Sequence, residues 1–219
     1  MPSKNIKKSL KDAAYDLKFL LNRGYKKKIA LNLVTKKHLL NKNERNFLVR
    51  KVFSDRKSLD RKIKNININK IKDRTIFIDG YNVLITVESI YKHEFDYVIM
   101  CDDGVLRDLK AVFGKYKISS CTETALNCII TILKKHHPVC IHFLYDSPVS
   151  KSGELASLTN MLIKRNGLNG NATTNKNVDF ELVKQSKLFD GIVATSDGAV
   201  IDKIEKTLDI PCWICKGMK

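Results

Sequence analysis

Residues Thr75 to Asn82, Thr-Ile-Phe-Ile-Asp-Gly-Tyr-Asn, constrain the fold more than any other stretch of the chain. A short apolar, β-branched run stops abruptly at Asp79-Gly80, the pattern of a buried parallel strand whose C-terminal end opens into a polar turn. In an open α/β sheet, strand ends near a reversal of strand order border the ligand crevice, so a carboxylate delivered there is placed for chemistry. A single acid in this position also suits a plain strand-ending turn. Recurrence of the same event along the chain tips the balance.

Tyr97 to Cys101 runs into Asp102-Asp103-Gly104, Val139 to Tyr145 into Asp146, and Gly191 to Thr195 into Ser196-Asp197-Gly198, while Asp179 opens a helix facing the same edge. Strand and helix patterns alternate from Thr75 onward. That alternation predicts an α/β domain, a mostly parallel sheet flanked by helices on both faces. In detail, Val83 to Val87 and Tyr97 to Cys101 read as two strands, a hairpin or adjacent, and Arg107-Asp108 as a short helix. Helices are expected over Thr122–Lys135 and Ser152–Arg165, from Val178-Asp179, and from Gly198 to Thr207. Gly167 to Asn171 reads as a turn and Pro211 to Cys215 as a last strand.

Converging carboxylates without compensating Lys or Arg repel one another strongly, and a divalent cation is the natural neutraliser. Oxygen donors suit Mg²⁺ or Mn²⁺ over Zn²⁺, since His and Cys are not clustered with them. Metal-assisted phosphodiester hydrolysis is the chemistry such a site supports. The candidate acids are Asp79, Asp146, Asp179 and Asp197. Glu123 lies in the first turn of its helix, where a carboxylate also complements the helix dipole.

The rest of the chain is organised around charge. Of the 40 basic and 23 acidic residues, Met1 to Arg74 holds 23 basic and 6 acidic, so the whole excess of +17 lies in the first third and the remainder is neutral. A field of that kind attracts polyanions, nucleic acid first and an anionic membrane surface second. Ser9–Asn22, Lys27–Val34 and Lys42–Phe53 read as three helices, with Asn41 and Glu44 forming a capping box. They form a small all-α domain over residues 1–56, followed by a connecting arm over 57–74, where Ile66 and Ile68 alternate with Asn as in an edge strand, and the α/β domain over 75–219. Lys26, Lys27, Lys28, Lys36, Lys37, Arg45, Arg50 and Lys51 are the candidate phosphate-gripping residues. Nothing identifies a base-reading recognition helix, and phosphate contacts alone carry no sequence information, so RNA is the expected partner with its sequence preference open.

No apolar run reaches the ~20 residues of a membrane span, and the basic N-terminus lacks the apolar core of a signal peptide, which points to the cytoplasm. The six cysteines sit in apolar segments and suit buried reduced thiols. Cys212 and Cys215 read as core residues, because side chains three apart on a strand point to opposite faces.

Ile78-Asp79-Gly80-Tyr81-Asn82, Asn177-Val178-Asp179 and Ala194-Thr195-Ser196-Asp197-Gly198 together resemble the PIN-like nuclease superfamily, specifically its NYN branch. Behind a basic helical N-terminal unit, Asp-Gly-Tyr-Asn followed by Asp-Asp-Gly-Val-Leu-Arg-Asp is also similar to a group of uncharacterised, mainly archaeal proteins. The first resemblance covers Thr75 to Lys219 and implies a flavodoxin-like sandwich with Mg²⁺-dependent ribonuclease chemistry, Asp79, Asp179 and Asp197 holding the metal. It places Asp146 as an extra strand-end acid and leaves Asp102, Asp103 or Glu123 as the mid-domain acid, with Asn82 and Ser196 as further candidates within the motifs. Two other chemistries fail on residues. A haloacid-dehalogenase nucleophile would fall on Phe77, and the Gly-rich patterns of P-loop and Rossmann sites are absent. The rival reading is a non-catalytic RNA-binding or ribonucleoprotein assembly factor on a degenerate fold of the same type. From the charge split, removing residues 1–56 is expected to flatten the salt dependence of RNA binding; equal slopes for truncated and full-length protein would contradict that role.

Overall fold

The computed structural model describes residues 8–110 and 116–217. Four strands, β1 (Thr75–Asp79), β4 (Cys140–Asp146), β5 (Gly170–Asn175) and β6 (Ile192–Ala194), form a parallel sheet in the order β5-β4-β1-β6. From β1 the sheet grows through β4 to β5, and the chain then returns to add β6 on the far side of β1. The reversal of strand order therefore flanks β1, and the C-terminal end of that strand lies at the crevice where α/β sheets bind ligands.

Alternation along the strands fills both faces. Ile76 and Ile78, Ile141, Phe143 and Tyr145, and Ile192 and Ala194 enter the larger core. Phe77, Leu144 and Val193 point the other way and pack with Val178, Leu182 and Val200. The first face is covered by α5 (Gly80–Tyr91), α6 (Ser120–Lys134), α7 (Ser152–Arg165) and α10 (Ile210–Gly217), and the second by α8 (Val178–Leu188) and the short α9 (Gly198–Ile201). A two-stranded antiparallel ribbon, β2 (Val98–Met100) and β3 (Leu106–Asp108), packs beside α5.

Four helices precede the sheet: α1 (Lys8–Asn22), α2 (Lys27–Lys37), α3 (Lys42–Lys51) and α4 (Asp55–Lys64). Leu10, Ala13, Leu17, Ala30, Leu31, Val34, Leu48 and Val52 give the first three a core of their own. The Asn41–Glu44 capping box forms at the start of α3, each side chain bonding the other residue's backbone N–H. Among the described residues no helix is long and apolar enough to cross a membrane.

Several local expectations fail for identifiable reasons. Val83 to Val87 is helix, not strand: α5 is buried on nearly every side, so its apolar residues carry no legible period. Arg107 and Asp108 lie in strand β3, not a short helix. The Gly167–Asn171 turn ends early, because Gly170 and Asn171 already belong to edge strand β5, which runs on through Ala-Thr-Thr. After Ser196-Asp197-Gly198 the helix stops at Ile201, and Thr207 instead bridges Asn65 and Val193. Ile66 and Ile68 do not form an edge strand, since a 3₁₀ turn occupies Ile68–Ile71. Pro211 to Cys215 is helix α10, with Pro in the first turn, where a missing N–H costs little, and Asp209 accepting from the Cys212 N–H. Cys212 and Cys215 consequently lie one turn apart on the same helix and border the cluster of Ile90, Val98 and Leu106.

A buried ion cluster ties the helical arm to the sheet domain. Asp103, fully buried, accepts from Arg107 Nη1 and Nη2 at 2.7 Å each and from Arg61 Nη1 at 2.8 Å. Burial alone would raise the Asp103 pKa, but the hydrogen bonds and charges of Arg107 and Arg61 hold it below the usual carboxylate range. Arg61 also reaches Asp202 at 2.7 Å and the Gly198 carbonyl at 2.9 Å. Asp103→Ala would leave two buried guanidinium groups short of their shared counter-ion, and urea denaturation is expected to show a loss of about 3–5 kcal/mol. A loss below about 1 kcal/mol, the range of an exposed pair, would contradict this role.

Candidate functional site

Asp79 closes β1 at 1% exposure. Its Oδ2 accepts from Asn82 Nδ2 at 2.6 Å and from Thr195 Oγ1 at 2.7 Å, so a residue one helical turn on and a residue just beyond β6 fix the same oxygen. Gly80 allows the chain to turn directly from strand into α5: a Cβ there would run into the Tyr145 ring and lie 2.9 Å from the Leu144 carbonyl oxygen. Burial, helped by the charges of Asp179 and Asp197 and opposed by the two hydrogen bonds, pushes the Asp79 pKa up to about 7.

Asp179 and Asp197 act on it through their charges, and Asp146 acts on Asp179. Asp197 caps α9, its Oδ1 accepting from Ala199 N at 2.5 Å and Val200 N at 3.3 Å, while its own N–H donates to Thr195 Oγ1 at 3.0 Å. Thr195 thus links Asp79 and Asp197 through one hydroxyl. Asp179 lies exposed in the first turn of α8, behind the cap that Asn177 makes to the Phe180 N–H at 3.2 Å. Partial desolvation and the charges of Asp197 and Asp146 raise its pKa, with Lys203 opposing. Asp146 closes β4 half-buried, and desolvation raises its pKa too. The four acids therefore share one electrostatic neighbourhood. Beside them the Tyr81 hydroxyl is buried with no hydrogen-bond partner among the described residues, and burial together with the Asp146 charge pushes its pKa up to about 12.

Asp102 and Asp103 are engaged elsewhere. Asp103 is the counter-ion of Arg61 and Arg107, and Asp102 lies 3.9 Å from both Lys18 and Lys51 and accepts from the Phe53 N–H. Glu123 is exposed in the first turn of α6. Ser196 enters through its backbone, its carbonyl accepting from Arg107 Nε at 2.7 Å.

The basic candidates divide in the same way. Lys26, Lys28 and Lys36 are exposed. Lys37 pairs with Asp16 at 2.7 Å, Arg45 reaches Asn32 Oδ1 at 3.4 Å, Arg50 donates to the Asp108 carbonyl at 2.7 Å, and Lys51 donates to the Met100 carbonyl at 3.0 Å. Lys27 donates to the carbonyls of Val49 and Val52 at 2.7 Å each and sits 3.8 Å above the Phe53 ring. Sequence reading missed Thr195, which lies inside the Ala194–Gly198 motif, and missed Arg61 and Arg107, whose importance comes only from a tertiary contact with Asp103.

Among the described residues, no three His, Cys, Asp or Glu side chains gather closely enough to hold a metal ion by themselves. The donor chemistry fits an ion that keeps most of its water. Mg²⁺ commonly keeps most of its water and takes one or two carboxylates, and a buried acid whose pKa is raised partly by like-charged neighbours is the kind of donor a hard cation would relieve. Asp79, with Asp179 or Asp197 as a second donor, would hold it.

Fold and site together define an α/β protein with a four-stranded parallel sheet and a group of carboxylates at the reversal of its strand order. The chain belongs to the family described as "Domain of unknown function (DUF5616)", whose model matches residues 68–213, and residues 9–64 match "Protein of unknown function (DUF434)". It is 37% identical over 193 residues to "Uncharacterized protein MJ0935" of Methanocaldococcus jannaschii, covering 88% of this chain and 89% of that one, so an uncharacterised family with an archaeal member fits. No solved structure matches the chain.

The pKa displacement at Asp79 has a consequence for stability. An unfolded Asp loses its proton near 3.8 while the folded Asp79 keeps it to about 7. Metal-free protein should therefore lose stability as pH rises through that window and not recover it above. In EDTA at about pH 8, Asp79→Asn is expected to melt higher than the native protein, with the gap closing as pH falls toward 4. A variant that melts lower at pH 8 would contradict the burial of an uncompensated charge.

Proposed function

We propose that the chain is a Mg²⁺- or Mn²⁺-dependent ribonuclease of PIN-like type, with a flavodoxin-like domain of the NYN branch carrying the reaction and the basic helical N-terminal domain holding the RNA. The observation that carries this reading is Asp79: a buried carboxylate at the end of an inner strand, fixed by Asn82 and Thr195, under the charges of Asp179 and Asp197, with Asp146 acting on Asp179. Proteins seldom gather acids around a buried acid for stability, because each raises the cost of ionising the others. The arrangement makes sense when a cation and a phosphodiester complete it.

A bound divalent ion would supply a metal-activated water and charge stabilisation on the leaving oxygen. The protein's own groups have separate tasks. Asn82 and Thr195 hold Asp79 in one rotamer, and the bond from Thr195 to the Asp197 N–H keeps the second acid in register with the first. Asp146, outside the set that would hold the ion, extends the negative site toward solvent and is placed to accept a proton from an attacking water, partial burial raising its pKa.

A second reading, a non-catalytic RNA-binding or ribonucleoprotein assembly factor in the cytoplasm, is favoured by one observation: the described acids do not by themselves form a three-ligand metal cluster. Activity separates the two. Incubation with single-stranded RNA should give cleavage that needs Mn²⁺ or Mg²⁺ and stops in EDTA, and Asp79→Asn should lower it by at least about a hundredfold with the far-ultraviolet spectrum unchanged. Cleavage unaffected by Asp79→Asn would remove that residue from the mechanism.

A further inference from the structure

A cleft of about 660 Å³ lies between the helical arm and the sheet domain, running from Tyr25 past Lys27, Phe53, Lys57 and Arg61 to Asn82, Ser196 and Asp197. It therefore ends at the residue that fixes Asp79. Five basic side chains line it, Lys27, Arg50, Lys57, Arg61 and Arg107, against the carboxylates of Asp197 and Asp202.

Its floor is built around Phe53. Lys27 lies 3.8 Å from the ring centroid, Arg61 4.5 Å and Arg107 5.3 Å, so three cations converge on one aromatic ring. The two arginines share Asp103, and Asp202 meets Arg61 at 2.7 Å and Lys57 at 2.8 Å. Lys27 is different. Its ammonium has three donors, of which two go to the Val49 and Val52 carbonyls, and among the described residues no carboxylate touches it. Burial, with the charges of Arg61, Arg107 and Lys57, lowers its pKa to about 8, against a smaller opposing effect from Asp103. Among the described residues no carboxylate pairs with Lys27, and a seated anion would supply that partner.

At one end stands Tyr25, 54% exposed, a planar ring on the connection between α1 and α2. A cationic groove with an aromatic platform is the arrangement that binds single-stranded nucleic acid without reading its sequence. A volume in the range of small-ligand sites admits a nucleotide or two of a single strand but not a duplex.

We infer that this cleft seats a single-stranded RNA segment, with a backbone phosphate at Lys27 and Lys57 and a base stacked on Tyr25, and feeds the adjoining phosphodiester to Asp79. The inference deepens the ribonuclease reading and rests on it for the direction of the strand. It also relocates the main binding surface: the outer lysines Lys26, Lys28 and Lys36 would add long-range attraction while the cleft supplies the contacts.

The test is fluorescence anisotropy of a labelled oligouridylate with full-length protein in EDTA, so that binding is read without cleavage. Tyr25→Ala and Lys57→Ala, both on exposed side chains that leave the core intact, are each expected to weaken binding about tenfold, the scale of one stacked base or one lost phosphate contact. Lys27→Met should do the same, while Lys164→Ala and Lys187→Ala, exposed on distant helices, should change it little. The same oligouridylate paired with oligoadenylate should bind more weakly than the single strand. Native affinity in all three cleft variants, loss confined to a Lys26→Ala/Lys28→Ala/Lys36→Ala protein, or equal binding of the duplex would overturn the inference. Cleavage by the native protein alongside unaltered binding by the cleft variants would sink the cleft and spare the nuclease. Cleft-dependent binding with no cleavage in Mn²⁺ would do the reverse.

Discussion

A carboxylate held where water scarcely reaches is the constraint around which this molecule is arranged. Asp79 sits at the end of an inner strand of a parallel sheet, and ionising it there is costly unless donors and a counter-charge meet it. Two donors are present, from Asn82 and Thr195. The charges nearest to it come from Asp179 and Asp197 and carry the wrong sign for stability. Position explains the rest: only at the reversal of strand order do the ends of β1, β4 and β6 and the start of α8 approach one another, so only there can acids far apart in sequence act on one substrate.

A second electrostatic device, of opposite character, stands next to it. The Arg61–Asp103–Arg107 cluster is buried and well matched, its carboxylate held ionised by two guanidinium groups. Breaking such a cluster is costly even where forming it adds little, and this one spans the arm, the β2–β3 ribbon and the α9 region. Gly198 belongs to it physically, because a Cβ there would lie 2.5 Å from Arg61 Nη2. The glycine that follows Asp197 is thus explained by a guanidinium packed against the backbone, and the arm's orientation toward the acidic edge follows from the same contact. The cleft between arm and sheet is the space those two devices leave open.

What could be read in the sequence follows from how local each cause is. The β1 strand, its terminal Asp79, the helices α1 to α3 with their Asn41 cap, and α7 were legible because periodicity and capping act over a few residues. The α5 helix was not, since a helix packed on the sheet, α6 and α10 at once has no polar face to betray its period. The α10 helix was missed although Asp209 and Pro211 mark its start, because Cys-Trp-Ile-Cys also has strong β propensity. Among the acids, sequence alone left Asp103 standing beside the strand-end set. Its partner Arg61 lies 42 residues earlier in the chain, and nothing short of the fold pairs them. Lys27 shows the same limit from the other side: it looked like one more surface lysine, and the fold turns it inward over Phe53.

The decisive question is whether a divalent cation binds at Asp79. Diffraction from crystals soaked in Mn²⁺ and recorded at the manganese absorption edge answers it directly. An anomalous peak at ligand distance from Asp79, shared with Asp179 or Asp197 and lost in Asp79→Asn, is the predicted result. No peak at those carboxylates, in a protein that still binds RNA, would contradict the metal-dependent site.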